Sequence, residues 1–319
     1  MAPSGTSVLV RGVRSTADGI RVVPTEPDRN GTVRVTGASS GICGSDLHLA
    51  SYGPSAVTLG HECCGTLDDG TPVVVLPPVS CGTCDRCLEG NEQQCGTSLG
   101  AMYGITLDGG LAEEVWVDPR NAVPLPGDVP LTHANLAEPL AVALHGIHRA
   151  GVTEGMRVLV IGAGPIGLCT IAAARDLGVE VDLAAHRASR MEAGERLGAR
   201  VAAGGGYDVV LDAAGTQTSV NAAVDAARPG GTVGFLGNFW EPVTVGLGFQ
   251  MKEVALVPAF TYGHHHGTSE LEEAARLLAR TPDLYDTIVT HHFPLEEAVE
   301  AFRTAGDRDA DAIKVVLHP

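Results

Sequence analysis

The spacing of hydrophobic and polar positions changes rhythm partway along the chain. Up to about residue 135, short apolar runs are broken by Gly, Pro and Asp: SVLVRGV, GIRVVP, TVRVTGASSGIC, TPVVVLPP and LAEEVWV. Runs of this kind, bounded by turn formers, predict strands of an all-β barrel or sandwich. From about residue 140, strands alternate with Ala-rich helices. RVLVIG reads as a buried strand and PIGLCTIAAARDLG as a helix ending at Gly178. VEVDLAA, YDVVLDAAG and GTVGFLG read as further strands, with a helix at MEAGERLGA. That alternation predicts a parallel sheet flanked by helices. Beyond about residue 263 come two amphipathic helices, SELEEAARLLAR and LEEAVEAFRTA, and a closing strand, AIKVVLHP. There is no internal repeat or low-complexity tract, and AAGGGYD is a short glycine turn.

A chain of 319 residues can bury two cores, and 44% hydrophobic residues with 41 glycines is an ordinary globular composition. The net charge of −17 gives no support for binding a phosphate backbone, so a nucleic-acid partner is not expected. The opening MAPSGTSVLVRG lacks the basic start and long apolar stretch of a signal peptide, and no later run approaches a membrane span. With eight clustered cysteines, this suggests a reducing, cytoplasmic setting and no membrane association.

Four of those cysteines, Cys81-x2-Cys84-x2-Cys87-x7-Cys95, fall within fifteen residues of a Gly/Pro-rich loop that has no apolar periodicity. Four thiolates in such a segment make a closed tetrahedral Zn²⁺ site, with the metal supplying folding energy that the loop cannot draw from a core. The competing reading is two disulfides, which C-x2-C spacing disfavours in a cytosolic protein. A closed site is structural and performs no chemistry.

The strand RVLVIG runs into Gly162-Ala-Gly164-Pro165-Ile166-Gly167 and then into a helix. Gly162 permits the tight turn, Gly164 lets the backbone approach a pyrophosphate, and Gly167 allows close helix–strand packing. The anion would then sit on the helix N-terminus. The end of the second strand bears on the choice of coenzyme. It carries His186, Arg187, Ser189 and Arg190, with no acid at the tip. Arginines there would welcome a 2′-phosphate, which favours NADP. The alternative is NAD, with Asp182 accepting from the ribose hydroxyls, although Asp182 is expected in mid-strand.

Three further pieces carry chemistry: Gly41-Ile-Cys43-Gly44-Ser45-Asp46-Leu-His48, Gly60-His61-Glu62 and Leu136-Ala-Glu138-Pro139-Leu140. Cys, His and Glu can supply three protein ligands to a second Zn²⁺, leaving one position open for water or substrate. In order and content, GICGSDLH, GHE, the four-cysteine loop, EPLAVALHG, GAGPIG and the closing HHFPLEEAVEAF…KVVLHP resemble the zinc-dependent medium-chain alcohol dehydrogenases over essentially the whole chain.

The resemblance implies an α/β protein with a GroES-like β-rich catalytic domain (1–137 and 263–319, including the structural zinc loop 81–95). It further implies a Rossmann-type doubly wound domain (138–262), with the active site between them. Cys43 and His61 look like catalytic zinc ligands. Glu138 matches the third ligand of the polyol, butanediol and threonine dehydrogenase branch, and Glu62 is similar to a glutamate just behind the metal. Ser45 matches the hydroxyl beside the substrate oxygen, His48 the far end of a proton relay through the nicotinamide ribose, and Asp46 a partner orienting the His61 ring. The implied activity is hydride transfer between NADP (alternatively NAD) and a secondary alcohol, polyol or ketone, with two zinc ions per chain and a homodimer or homotetramer. A reductase acting on the C=C or C=N bond of a biosynthetic intermediate is the alternative on this scaffold.

The chain departs from that pattern in a shortened stretch after Gly60-His61-Glu62 and a shortened stretch at AAGGGYD. Cys63, Cys64 and Cys169 read as packing thiols. His264, His265 and His266 read as loop surface, or less readily as pocket lining. Tyr52 and Tyr103 are each candidates for the pocket or the core, and His291 and His292 are expected to cap or solvate a helix.

Overall fold

A computed structural model describes residues 9–27, 29 and 32–319. Most of the segment read for a targeting signal, and the Ser7–Val8 start of the first expected strand, lie outside the described residues. The chain forms two compact units, one running to Glu138 and joined by Val289–Pro319, the other spanning Pro139–Ile288.

The first unit is built on a mainly antiparallel sheet. Its order is Val289–Pro294, Lys314–His318, Val33–Gly41, Glu62–Thr66, Pro72–Val75 and Ala122–Pro124, with Glu114–Val117 pairing the start of Val33–Gly41. Alternating valines put Val35, Val73, Val75, Val115 and Val117 into one core with Cys63 and Tyr103. A second core joins Val13, Leu59 and Leu111 to Leu295, Phe302 and Leu317 from the C-terminal segment. The strand Val33–Gly41 organises the site. Its last residue, Gly41, pairs with Glu62 on one side and with Val316 on the other. A Cβ at position 41 would collide with the Glu62 carboxylate, so glycine leaves room for a side chain to cross the strand there.

The second unit carries a six-stranded parallel sheet of order Arg200–Val201, Val181–Ala184, Val158–Ile161, Tyr207–Asp212, Ala227–Phe235 and Ala255–Pro258. Numbered along the chain, this is 3-2-1-4-5-6, the order of dinucleotide-binding sheets, with its switch point between Val158–Ile161 and Tyr207–Asp212. The helix Pro165–Asp176 is buried from Gly167 to Ala174, which its small side chains permit. The segment 263–288, expected to rejoin the first domain, belongs here instead. The buried face of Glu270–Arg280 includes Glu270, which bonds two histidines of the helix Ala137–Arg149, and Asp283–Ile288 packs on Pro165–Asp176. The return to the first unit comes at Val289. No helix among the described residues is long and apolar enough to cross a membrane.

Candidate active site, zinc loop and nucleotide turn

The end of Val33–Gly41 delivers Cys43, which caps the helix Gly44–Ser51 bearing Ser45, Asp46 and His48. Gly60 takes a left-handed backbone (φ 99°) that turns the chain into His61 and the strand Glu62–Thr66. The ligand atoms of Cys43, His61 and Glu62 all lie within 4.8 Å of one another. His61 Nε2 stands 3.2 Å from Ser45 Oγ, and its Nδ1 lies 3.6 Å from Asp46 Oδ1. That Nδ1 and Oδ1 are both buried and have no hydrogen-bond partner. Asp46 is anchored by accepting from the Cys43 amide at 2.9 Å. The ring is thus presented by Nε2 to the Cys43 side, with a carboxylate behind it, as in carboxylate–histidine–metal triads.

Electrostatics point the same way. Burial alone would lower the His61 pKa, but Asp46, Cys43 and Glu138 outweigh it and raise the value well above the ordinary imidazole range. Burial also raises Asp46, with His61 opposing. The pocket is short of positive charge. Together with a sulfur, nitrogen and oxygen donor set, that deficit fits a divalent zinc ion.

Glu138, the expected third ligand, opens the helix Ala137–Arg149 and is buried beside the cluster, near enough to act on His61, Cys63 and Lys314. The tight group contains Glu62 in its place. Glu62, however, is bound through both oxygens by Lys314 Nζ, at 2.7 and 2.6 Å. Lys314 was missed in the sequence. A lysine inside the apolar run AIKVVLHP was the available signal, since a buried lysine requires a carboxylate partner.

His48 is exposed, and its Nδ1 donates to the Gly44 carbonyl at 3.1 Å, which leaves Nε2 as the basic nitrogen. Tyr52 caps the same helix and is 71% exposed. Tyr103 is core: it is buried, and its hydroxyl accepts from the Asp118 amide at 2.8 Å. Cys63, Cys64 and Cys169 are buried, and burial pushes the Cys64 thiol up to about 11. His291 and His292 lie in the strand Val289–Pro294 rather than capping a helix, and His292 Nδ1 meets His318 Nε2 at 3.0 Å.

In the loop, Cys81, Cys84, Cys87 and Cys95 bring their sulfurs within 4.8 Å of one another, and none of the eight cysteines is in a disulfide. Cys84 and Cys81 lie 3.6 and 3.9 Å from Cys87, sulfur to sulfur. Disulfides, with sulfurs about 2 Å apart, are excluded, whereas Zn–S bonds of about 2.3 Å give tetrahedral edges of about 3.8 Å. The amides of Thr83 and Cys84 donate to Cys81 Sγ at 3.5 and 3.3 Å, and that of Cys81 to Cys95 Sγ at 3.5 Å. The Cys81 amide, with those of Ser98 and Thr97, brings Cys95 down to about 5. Such donors favour the thiolate form that zinc requires.

The glycine turn sits at the sheet's switch point. Gly162 has φ 97°, and a Cβ at Gly167 would collide with the Gly162 carbonyl. At Gly164, the N-cap of Pro165–Asp176, a Cβ would meet nothing within 4 Å, so the helix N-terminus stands open to an anion. Ile166 follows in the first turn. The second strand ends at Ala184, and Asp182 is inside it, committed to Arg200 Nε at 3.0 Å and to the Tyr207 hydroxyl at 2.8 Å. His186 and Arg187 are exposed, and Arg190 Nη1 reaches the Ala163 carbonyl in the turn at 3.4 Å.

Residues 29–127 match the family model for the alcohol dehydrogenase GroES-like domain, and residues 165–280 that for zinc-binding dehydrogenases. The chain is 33% identical to L-idonate 5-dehydrogenase (NAD(P)(+)) of Escherichia coli (strain K12), over 91% of this chain and 92% of that protein. Galactitol-1-phosphate dehydrogenase from Escherichia coli has a similar structure, with a TM-score of 0.87 at 29% identity, covering 97% of this chain and 100% of that one. A protein described as a zinc-binding dehydrogenase from Sinorhizobium meliloti 1021, solved bound to NADP, gives 0.86 at 28% identity over 98% and 100% of the two chains.

Proposed function

Because the chain belongs to the zinc-dependent medium-chain alcohol dehydrogenase family, we propose that it interconverts the secondary hydroxyl of a polyol or sugar-derived acid and the matching ketone, using NADP(H). The observation that carries this reading is Ser45 Oγ at 3.2 Å from His61 Nε2, which sets a proton-accepting hydroxyl beside the candidate ligand nitrogen. When bound, zinc would supply Lewis acidity toward the substrate oxygen and the nicotinamide would exchange hydride with the adjacent carbon.

The chain's own residues manage position and protons. Cys43, His61 and Glu138 hold the catalytic ion. Glu138 is preferred to Glu62 because both oxygens of Glu62 are occupied by Lys314. Asp46 orients His61, Ser45 takes the hydroxyl proton, and His48, one turn further along the helix, passes it to solvent. Cys81, Cys84, Cys87 and Cys95 hold the second, structural ion.

Preference for NADP is supported by Asp182, which is spent inside the strand, and by Arg187, Arg190 and His186 clustered past its tip. The exposed Leu247, Met251 and Phe260 support a homodimer or homotetramer, and eight cysteines with no disulfide among them suit a reducing cytoplasm. The test is a hydride-transfer screen of polyols, aldonates, polyol phosphates and simple secondary alcohols with NAD⁺ and NADP⁺ in parallel. Turnover of a polyol-class substrate with NADP⁺ preferred is expected. No turnover by protein carrying two zinc ions would overturn the activity, and preference for NAD⁺ would overturn the coenzyme assignment.

A further inference from the structure

Two histidines outside the active site meet one carboxylate in the Pro139–Ile288 unit, and two more rings continue from them. His145 and His148, one turn apart on the helix Ala137–Arg149, each present Nδ1 to Glu270 at 2.8 Å, one to each oxygen. The Gly263 amide donates to the same carboxylate at 2.8 Å. A carboxylate only accepts, so both Nδ1 atoms carry their hydrogens. Glu270 opens the helix Glu270–Arg280, and the segment before it is a hairpin in which His264–His265 pairs with Thr268–Ser269. Its turn residues, His266 (φ 49°) and Gly267 (φ 79°), are both left-handed, the geometry of a two-residue type I′ loop.

One stacked pair joins the hairpin to the helix. His265 lies on His148 with centroids 3.7 Å apart and planes 17° from parallel, and His266 follows at 4.1 Å, tilted by 48°. The groups facing His265 are His148 and His145 from the helix, His266 from the hairpin and Glu270 beyond it. Glu273 adds a second carboxylate, 3.9 Å from His148 Nε2. A charge on His265 would face three imidazoles, against Glu270, which already accepts three hydrogen bonds, and Glu273 on the far side of His148.

We infer that the hairpin His264–Ser269 is a proton-operated latch, closed on the 137–149 helix by the stack of His265 on His148 and opened when His265 takes up a proton. The sign follows from linkage. Burial, then His148 and His266, lower the His265 pKa below its ordinary 6.5. The closed form therefore binds fewer protons than the open one, so it is fully stable above that value and weakens as pH falls below it.

Hydrogen exchange on the whole protein tests this, with rates corrected for intrinsic pH dependence. Between pH 7.5 and 5.5, protection of the Gly263 amide and the 264–269 ladder is expected to fall several-fold, at most about tenfold per pH unit for one linked proton. His265→Phe keeps a stacking ring that cannot titrate, and its protection is expected to stay flat. An equal fall in that variant, or no fall in the wild type, overturns the latch. Should the variant not fold, imidazole NMR titration of the wild type decides: a His265 pKa at or above 6.5 overturns it, and one below upholds it.

Discussion

Lys314 Nζ sits between the two carboxylate oxygens of Glu62, 2.7 and 2.6 Å away, with lysine and glutamate arriving from strands on opposite sides of Gly41. Both groups are buried. Glu62 and Cys43 overcome burial and raise the Lys314 pKa, so the ammonium persists. Lys314→Met would leave a carboxylate unpaired in the interior, a change that costs about 3–5 kcal/mol. Glu62→Gln combined with Lys314→Met should recover part of that loss. Urea unfolding of the wild type, Glu62→Gln, Lys314→Met and the double variant, each zinc-loaded and stripped, measures the coupling. A smaller Lys314→Met penalty in the loaded protein would show Glu62 turning to the metal, and a near-zero penalty in both would refute the pairing.

The zinc loop should behave independently of the catalytic cluster. Cys95→Ser removes a thiolate that backbone amides hold near pKa 5, and with it the ordering of 81–95. The expected result is one zinc per chain instead of two, with rapid proteolysis confined to the loop. Cys43→Ser should lose the other ion and leave the loop protected. Metal analysis with limited proteolysis checks both, and loss of both ions from either variant would contradict two separate sites.

How much of this was legible in the sequence depends on how local each relation is. The strand, glycine turn and helix around Gly162–Gly167 are contiguous, and the cysteine spacing is its own signal. The Glu62–Lys314 pair spans 252 residues and depends on which strands flank Gly41, which no periodicity encodes. The 270–280 helix announces an apolar face but not the surface beneath it, so the resemblance points to the first unit while the chain packs it in the second. His264–His266 reads as solvated loop because three successive residues carry no period. The stack on His148 exists only through tertiary structure.

Coenzyme choice should follow Arg187 and Arg190 rather than Asp182. Losing one charge-assisted phosphate bond costs roughly 1.5–3 kcal/mol, so Arg190→Ala should raise KM for NADP⁺ by about ten- to a hundredfold and leave NAD⁺ within about twofold. Asp182→Asn should destabilise the fold, because the amide keeps one accepting oxygen for two donors, Arg200 and the Tyr207 hydroxyl, and loses the charge facing Arg200, without altering the coenzyme ratio. Parallel kinetics with both coenzymes decide. An Asp182→Asn effect specific to NAD⁺ would reverse the assignment.

Glu270 makes stability acid-sensitive. Burial would raise its pKa, but bonds from His145 and His148 and the Gly263 amide take it down to about 2, below its ordinary 4.5. A depressed carboxylate stabilises fully above its unfolded value and loses that contribution as pH falls through the folded one. Glu270→Gln should therefore cost about 3 kcal/mol at neutral pH, with the gap to wild type closing between about pH 4.5 and 2. Denaturant melts across that window test it, and a gap constant with pH would show that shape, not charge, holds the site.

Ser45 and His48 should act in series, which the helix geometry makes testable. Ser45 Oγ is 3.2 Å from His61 Nε2, whereas His48 lies one turn on, exposed, with Nδ1 donating to the Gly44 carbonyl. Ser45→Ala removes the first proton acceptor and should lower kcat by roughly 10²–10⁴ with zinc content and coenzyme affinity intact. His48→Gln leaves that first transfer in place and removes only its outlet. The expected loss is smaller, and added imidazole should restore part of it. If the two share one path, the double variant should be no slower than Ser45→Ala alone, since removing the second step of a blocked relay changes nothing. Multiplicative losses would mean that each residue moves a proton by its own route.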